Sequence, residues 1–342
     1  MKKIRLGKTG LMVTKPAMGC LPVQRCGVEE GAALIREAYE RGINYFDTAN
    51  AYSDSEMKIG IALHDVRDRV IISTKSAAKT KEGVLAHIEN SLKMLQTDYI
   101  DLFQFHQIPE VPDFNDPDGH YAGALEAKRR GWIRHIGVTA HKIGVAEAAV
   151  DSGMFETMQF PFSYISADRD IALAERCRQA DMGFIAMKGL AGGLLTNARA
   201  CHAFMKRYDN VVPIWGIQHL WELEEWLAVA AEDPDMDDEL AAVIAADRKQ
   251  LSAEFCRGCG YCMPCPQGIE INNSARMNML LRRSPWRQYY SPEWREKMER
   301  IEECVECRQC AEKCPYGLDT PNILKFMLQD WREYFQAHRA EF

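Results

Sequence analysis

No apolar stretch in this sequence reaches the roughly 18 residues that a membrane-spanning helix needs. No apolar run follows the lysines of the opening MKKIRLGKTG, so that start does not read as a signal peptide. Cationic excess is also missing, the formal net charge being −7. A net-acidic chain argues against nucleic acid as the main partner. Cysteine is sparse outside two short runs, with only Cys20, Cys26, Cys177 and Cys201 scattered through the rest. That distribution excludes a secreted disulfide framework and leaves those four as small buried hydrophobes. These absences indicate a cytoplasmic protein that engages neither membrane nor nucleic acid.

What is present suits one large domain and a small one: 342 residues, 47% of them hydrophobic. Charge is uneven. Residues 256–342 carry 13 Lys/Arg against 12 Asp/Glu, whereas the remainder carries 29 against 37. In LRRSPWRQYYSPEWREKMER (281–300) arginines alternate with aromatics. This segment reads as a helical connector with a solvated basic face, or alternatively as a dock for an acidic redox partner protein.

Residues 16 to about 233 alternate strand-like apolar runs with amphipathic helical ones. The strands are PAMGC (16–20), INYFDTA (43–49), VIISTKS (70–76), YIDLFQFH (99–106), IRHIGVTA (133–140), TMQFPF (157–162), GFIAMKGL (183–190) and VVPIWGI (211–217). Between the third and fourth, Val84, Leu85, Ile88, Leu92 and Leu95 recur at helical spacing. Eight such units predict a closed (β/α)8 barrel, typically about 250 residues. A doubly wound sheet would commonly place a glycine-rich phosphate turn after its first strand, where this chain has MGCLPVQRCG. The hairpin in KKIRLGKTGLMVT is expected to close the barrel's bottom. After a further helical run at 236–251 the composition changes, so the domains are set at 1–250 and 251–342.

In such barrels the chemistry sits where strands end and the following loops begin. Asp47 lies near the end of the second strand, with Tyr52 in the loop beyond it; Lys75 and His106 end the third and fourth. Singly, Asp47 reads as a cap, Tyr52 as a loop-packing ring and His106 as a core histidine. Together they form an acid–base device. A phenol has a pKa of about 10, and a lysine cation is expected to lower it. Asp47 can hold the lysine, and His106 can hydrogen-bond a carbonyl oxygen, as carbonyl reduction by hydride requires.

These residues stand within NYFDTANAYSDSEMKIG, VIISTK, DLFQFH, KRRGWIRHIGVTAH and MKGLAGGLL, and through them the first 230 or so residues resemble the aldo-keto reductase family. The resemblance implies that Asp47, Tyr52, Lys75 and His106 are catalytic, with Tyr52 as general acid/base and a nicotinamide cofactor across the barrel mouth. It places Gln159 on the carboxamide and Lys188, Leu190 and Gly192 along the pyrophosphate. Gly216, ending the eighth strand, joins them as a cofactor contact. Two family positions depart: Thr139–Ala140 replaces a serine–asparagine pair, and Met187 a stacking tyrosine. No Lys or Arg occurs between Arg207 and Arg248, where the family binds a 2′-phosphate, while Glu222, Glu224 and Glu225 crowd that segment. NAD(H) is therefore expected over NADP(H).

The cysteine runs are CRGCGYCMPCP (256–266) and CVECRQCAEKCP (304–315). Triple CxxCxxC spacing suits three corners of a cubane, and in two-cluster ferredoxins the following Cys-Pro ligates the other cluster. Crossed ligation predicts one [4Fe–4S] cluster on Cys256, Cys259, Cys262 and Cys314, and a second on Cys304, Cys307, Cys310 and Cys265. The first run is one residue short before its fourth cysteine, which bears on the crossing. Zinc in Cys₄ sites is the alternative metal. With helical patterns between the runs, this part resembles a helical ferredoxin-type domain.

Hydride moves two electrons and a cluster passes one, a mismatch that a flavin would bridge. No flavin motif is evident, and a flavin stays open. The leading expectation is an oxidoreductase acting on a small carbonyl or alcohol, with clusters that exchange electrons. Two alternatives are an electron-transfer subunit with a scaffold barrel, and redox-neutral proton chemistry with structural clusters.

Overall fold

The computed structural model describes residues 1–251, 255–256, 258, 260–283, 286–314 and 316–339. Cys259 and Pro315 lie outside the described residues. By their internal contacts the residues form two compact units, 1–189 with 198–240, and 190–197 with 241–342. That division falls inside the helix Asp238–Gln250 rather than after it, and assigns the 190–197 segment to the second unit.

In the first unit an antiparallel hairpin, β1 (Lys3–Arg5) and β2 (Met12–Thr14), precedes the barrel. The barrel strands are β3 (Ala17–Gly19), β4 (Tyr45–Asp47), β5 (Ile71–Ser76) and β6 (Ile100–Phe105). They continue as β7 (Ile133–Thr139), β8 (Thr157–Pro161), β9 (Gly183–Met187) and β10 (Val211–Gly216). All eight are parallel and neighbour one another in chain order, and β10 pairs with β3 to close the ring. This is a (β/α)8 barrel. Closure excludes the doubly wound alternative, which has two free edges.

Strands buried on both faces carry continuous apolar runs, as in β6, where every residue is buried. Its one carboxylate, Asp101, is matched by Arg67 at 2.7 Å. The helix Lys81–Met94 starts at Thr80, whose hydroxyl accepts from the Gly83 amide. Val84 and Ile88 are its buried stripe. Gly123 lets the next helix approach, since a Cβ there would lie 2.8 Å from the Lys81 carbonyl oxygen. At the strands' N-terminal ends Leu6, fully buried, packs with Ala17, Tyr45, Leu102, Ile185 and Val212, so the hairpin plugs the barrel bottom.

The second unit is helical, with helices at Ile271–Ser274, Met277–Arg283, Pro292–Glu299, Gln309–Glu312 and Thr320–Ala337. Its core includes Ile269, Met277, Leu281, Leu324 and Trp331. Tyr290 stacks on Trp331 at 4.9 Å and donates its hydroxyl to the Trp331 carbonyl at 2.8 Å. The aromatics of the 281–300 segment are thus turned inward, and the arginines of this unit are largely paired outside. Arg282 meets Asp330 at 2.6 Å, while Arg332 meets Glu299 and Glu302. Among the described residues no helix is long and apolar enough to cross a membrane.

Candidate functional site

The strand ends bring Asp47, Lys75, Tyr52 and His106 into one neighbourhood of the barrel. β4 and β5 are adjacent and in register, with Asp47 beside Ser73. That register puts Lys75 Nζ 2.6 Å from Asp47 Oδ2 and 2.5 Å from the Thr48 carbonyl oxygen. Ser73 Oγ donates to Asp47 Oδ1 at 2.6 Å, and Gln104 Nε2 to the same oxygen at 3.2 Å. The carboxylate is therefore desolvated yet supplied with charge and hydrogen bonds, the condition under which a buried ion pair persists.

Tyr52 lies over this pair. Lys75 Nζ is 5.4 Å from its ring centroid, and the His106 ring meets it edge-on at 5.7 Å. Burial pushes the Tyr52 phenol above its ordinary value, Lys75 pulls it down and Asp47 pushes it up. The net direction is upward, opposite to the lowering expected from lysine alone, because burial outweighs a cation already neutralised by Asp47. Burial, followed by the Lys75 charge, lowers His106 to about 3. At neutral pH the site therefore presents a protonated phenol and a neutral imidazole.

Gln159 joins the same network: its Nε2 donates to Asp47 Oδ2 at 3.4 Å, and its Oε1 accepts from Gln104 at 2.8 Å. In this state its amide braces the carboxylate. Lys188 follows β9 in the left-handed region at φ +56°. Gly216 ends β10, and a Cβ on it would meet Pro22 Cγ at 3.0 Å. Leu190 and Gly192 belong to the segment grouped with the second unit, where a Cβ on Gly192 would lie 2.5 Å from Arg276 Nη1.

Three residues of the mouth are absent from the sequence-based set. Ser73 and Gln104 hold Asp47, and the signal for Gln104 was a lone amide inside the apolar run LFQFH. His141, 3% exposed, is lowered to about 3 by burial and then by the charges of Lys188 and His106.

In the second unit the cysteines ring two cavities rather than converging on a point. One is lined by Cys256, Cys262 and Cys314, with Ile271, Ala275 and Thr320. The other is lined by Cys304, Cys307, Cys310 and Cys265, with Cys262 also on its wall. Each cavity draws cysteines from both runs. Cysteine sulfur is the donor an iron–sulfur cluster takes, and Ile and Leu side chains give both cavities an apolar lining.

Along the sequence the same architecture recurs in known proteins. Residues 24–233 match the model of the aldo/keto reductase family, and 255–319 that of the 4Fe-4S dicluster domain. The chain belongs to the aldo/keto reductase family and carries an iron–sulfur domain behind an oxidoreductase barrel. It is 27% identical over 243 residues to aldo-keto reductase AFTS1 of Alternaria alternata, covering 56% of this chain and 65% of that protein. To the uncharacterized oxidoreductase YqkF of Bacillus subtilis it is 25% identical over 293 residues, covering 81% and 93%. Among solved structures, the holo form of aldo-keto reductase AKR11C1 from Bacillus halodurans superposes with a TM-score of 0.62 at 22% identity, covering 72% of this chain and 96% of that one. An aldo-keto reductase from Klebsiella pneumoniae in complex with NADPH gives the same score and identity, covering 72% and 95%.

Proposed function

We propose that this chain interconverts a small carbonyl compound and its alcohol at the barrel mouth, with a nicotinamide cofactor and Tyr52 as general acid/base. The observation that carries the reading is the buried Lys75–Asp47 pair beneath Tyr52, flanked by His106. When bound, the nicotinamide supplies hydride to the carbonyl carbon or takes it from the carbinol carbon. In reduction, Tyr52 gives its hydroxyl proton to the carbonyl oxygen. Neutral His106 can donate a hydrogen bond to that oxygen, and Lys75 stabilises the phenolate left behind. Gln159, Lys188 and Gly216 are proposed cofactor contacts.

Eight cysteines are proposed as ligands of two [4Fe–4S] clusters, in the crossed sets given by the two runs. Each cavity wall, drawn from both runs, supports the crossing. Cys307 is exposed, and Val305 beside it is 62% exposed, which suits electron exchange between that cavity and an outside redox partner.

NADH is proposed over NADPH. At the start of the helix Leu220–Glu232, Glu222 Oε2 accepts from the amides of Gln218 and His219 at 2.6 and 3.0 Å. A carboxylate already occupies the helix terminus that would otherwise favour an anion. Cations do approach from elsewhere in the chain: Arg25 Nη1 lies 3.4 Å from Gln218 Oε1 and Arg41 Nη2 3.8 Å from Glu224 Oε1. The test is a pair of fluorescence titrations with the two reduced coenzymes. NADH is expected to bind at least tenfold tighter; equal affinity, or tighter NADPH binding that is lost in Arg25→Ala, overturns the preference.

A further inference from the structure

Arg276, between the helices Ile271–Ser274 and Met277–Arg283, is in an unusual position for a guanidinium. Its Nη2 donates to Asn273 Oδ1 at 3.3 Å, while its Nε is buried without a hydrogen-bond partner among the described residues. Among the described residues no carboxylate pairs with it; burial lowers its pKa, which Cys256 and then Tyr289 oppose. Two left-handed glycines make room for it. A Cβ on Gly258 (φ +64°) would lie 3.0 Å from its Cζ, and one on Gly192 (φ +71°) would lie 2.5 Å from its Nη1. Leaving a buried N–H of a half-buried cation uncompensated is costly, so an anionic acceptor is expected beside it. The adjacent residue Ala275 lines the cavity of Cys256, Cys262 and Cys314.

We propose that Arg276 is a potential-setting residue, holding the cluster ligated by Cys256, Cys262 and Cys314 at a more positive reduction potential through its charge and an N–H···S hydrogen bond. This rests on the ligand sets proposed above. A cluster gains negative charge on reduction, so a neighbouring cation stabilises the reduced form more than the oxidised one. Net charge and hydrogen bonds to sulfur are the established levers on such potentials. The other cavity lacks this asymmetry: its lining arginine, Arg308, is 3.3 Å from Asp319 and solvent-exposed, so its charge is offset. The two clusters therefore differ in potential, and electrons settle on the one beside Arg276.

The test is an anaerobic redox titration of the full-length, iron-loaded protein, followed by electron paramagnetic resonance and visible absorbance. Wild type, Arg276→Gln and Arg276→Lys are compared, with iron and sulfide counted in each. Two reduction steps are expected in the wild type; Arg276→Gln moves the more positive one to a lower potential and leaves the other in place. Arg276→Lys, which keeps the charge and loses Nε–H, moves the same step by less. If Arg276→Gln does not retain iron, Arg276→Lys alone decides. Loaded variants whose two potentials match the wild type, or shift equally, overturn the proposal. Wild-type protein holding zinc, or far fewer than about eight irons, contradicts the ligand reading instead.

Discussion

Lys75 Nζ sits 2.6 Å from Asp47 Oδ2 with both side chains almost wholly buried, at 1% and 3% exposure. The pair ties two adjacent strands together at the barrel mouth and offsets the charge of a lysine that water cannot reach. Asp47→Asn leaves that charge unpaired and is expected to cost about 3–5 kcal/mol of folding stability. Denaturant titration measures it, and Asp47→Asn combined with Lys75→Met should recover much of the loss. A single variant as stable as the wild type would mean that the pair does not hold the strand ends.

The two histidines of the mouth give the fold an acid limit. His106 and His141 sit at about 3 in the folded protein, against about 6.5 in an unfolded chain. Between those values the unfolded chain binds more protons, so the histidines place no penalty on folding above pH 6.5 and destabilise the fold progressively as pH falls toward 3. His141→Asn removes one of them. Its stability deficit relative to wild type should shrink by about 2 kcal/mol between pH 7.5 and pH 5, from about 1.4 kcal/mol per pH unit below 6.5. A deficit independent of pH would show that His141 does not stay neutral in the fold.

Crossed ligation makes a distinctive prediction for Cys314, which lies in the second run but lines the cavity of the first. Cys314→Ser should disturb the cluster held by Cys256 and Cys262, leaving the signal of the other intact. Iron content and the reduced-state resonance spectrum read this directly. Loss of the signal that Cys304→Ser also removes would place both cysteines on one cluster and abolish the crossing.

The barrel was legible because its signal is periodic and local. Each expected run contains its observed strand, and where the ends differ they were trimmed by one to three residues where pairing stops, as at PAMGC against β3. The grouping of Asp47, Lys75, Tyr52 and His106 was legible because a charged group at a buried strand end is costly without a purpose. What supports them was not. Ser73 and Gln104 reach Asp47 only through the register of neighbouring strands, which no single segment encodes. The direction of the Tyr52 shift depends on burial, which a list of nearby charges omits. Arg276 was equally hidden, because Gly192 and Gly258 are distant in sequence and meet it only in the fold.

The central claim, that Tyr52 moves the proton in a nicotinamide-dependent carbonyl reaction, is tested by anaerobic turnover of NADH with a panel of small aldehydes and ketones, comparing wild type with Tyr52→Phe. One alcohol should form per NADH consumed. Tyr52→Phe should lose about 10²–10⁴-fold in kcat while binding NADH normally. Undiminished turnover in Tyr52→Phe, or NADH that bleaches the clusters while no carbonyl is ever reduced, would contradict it.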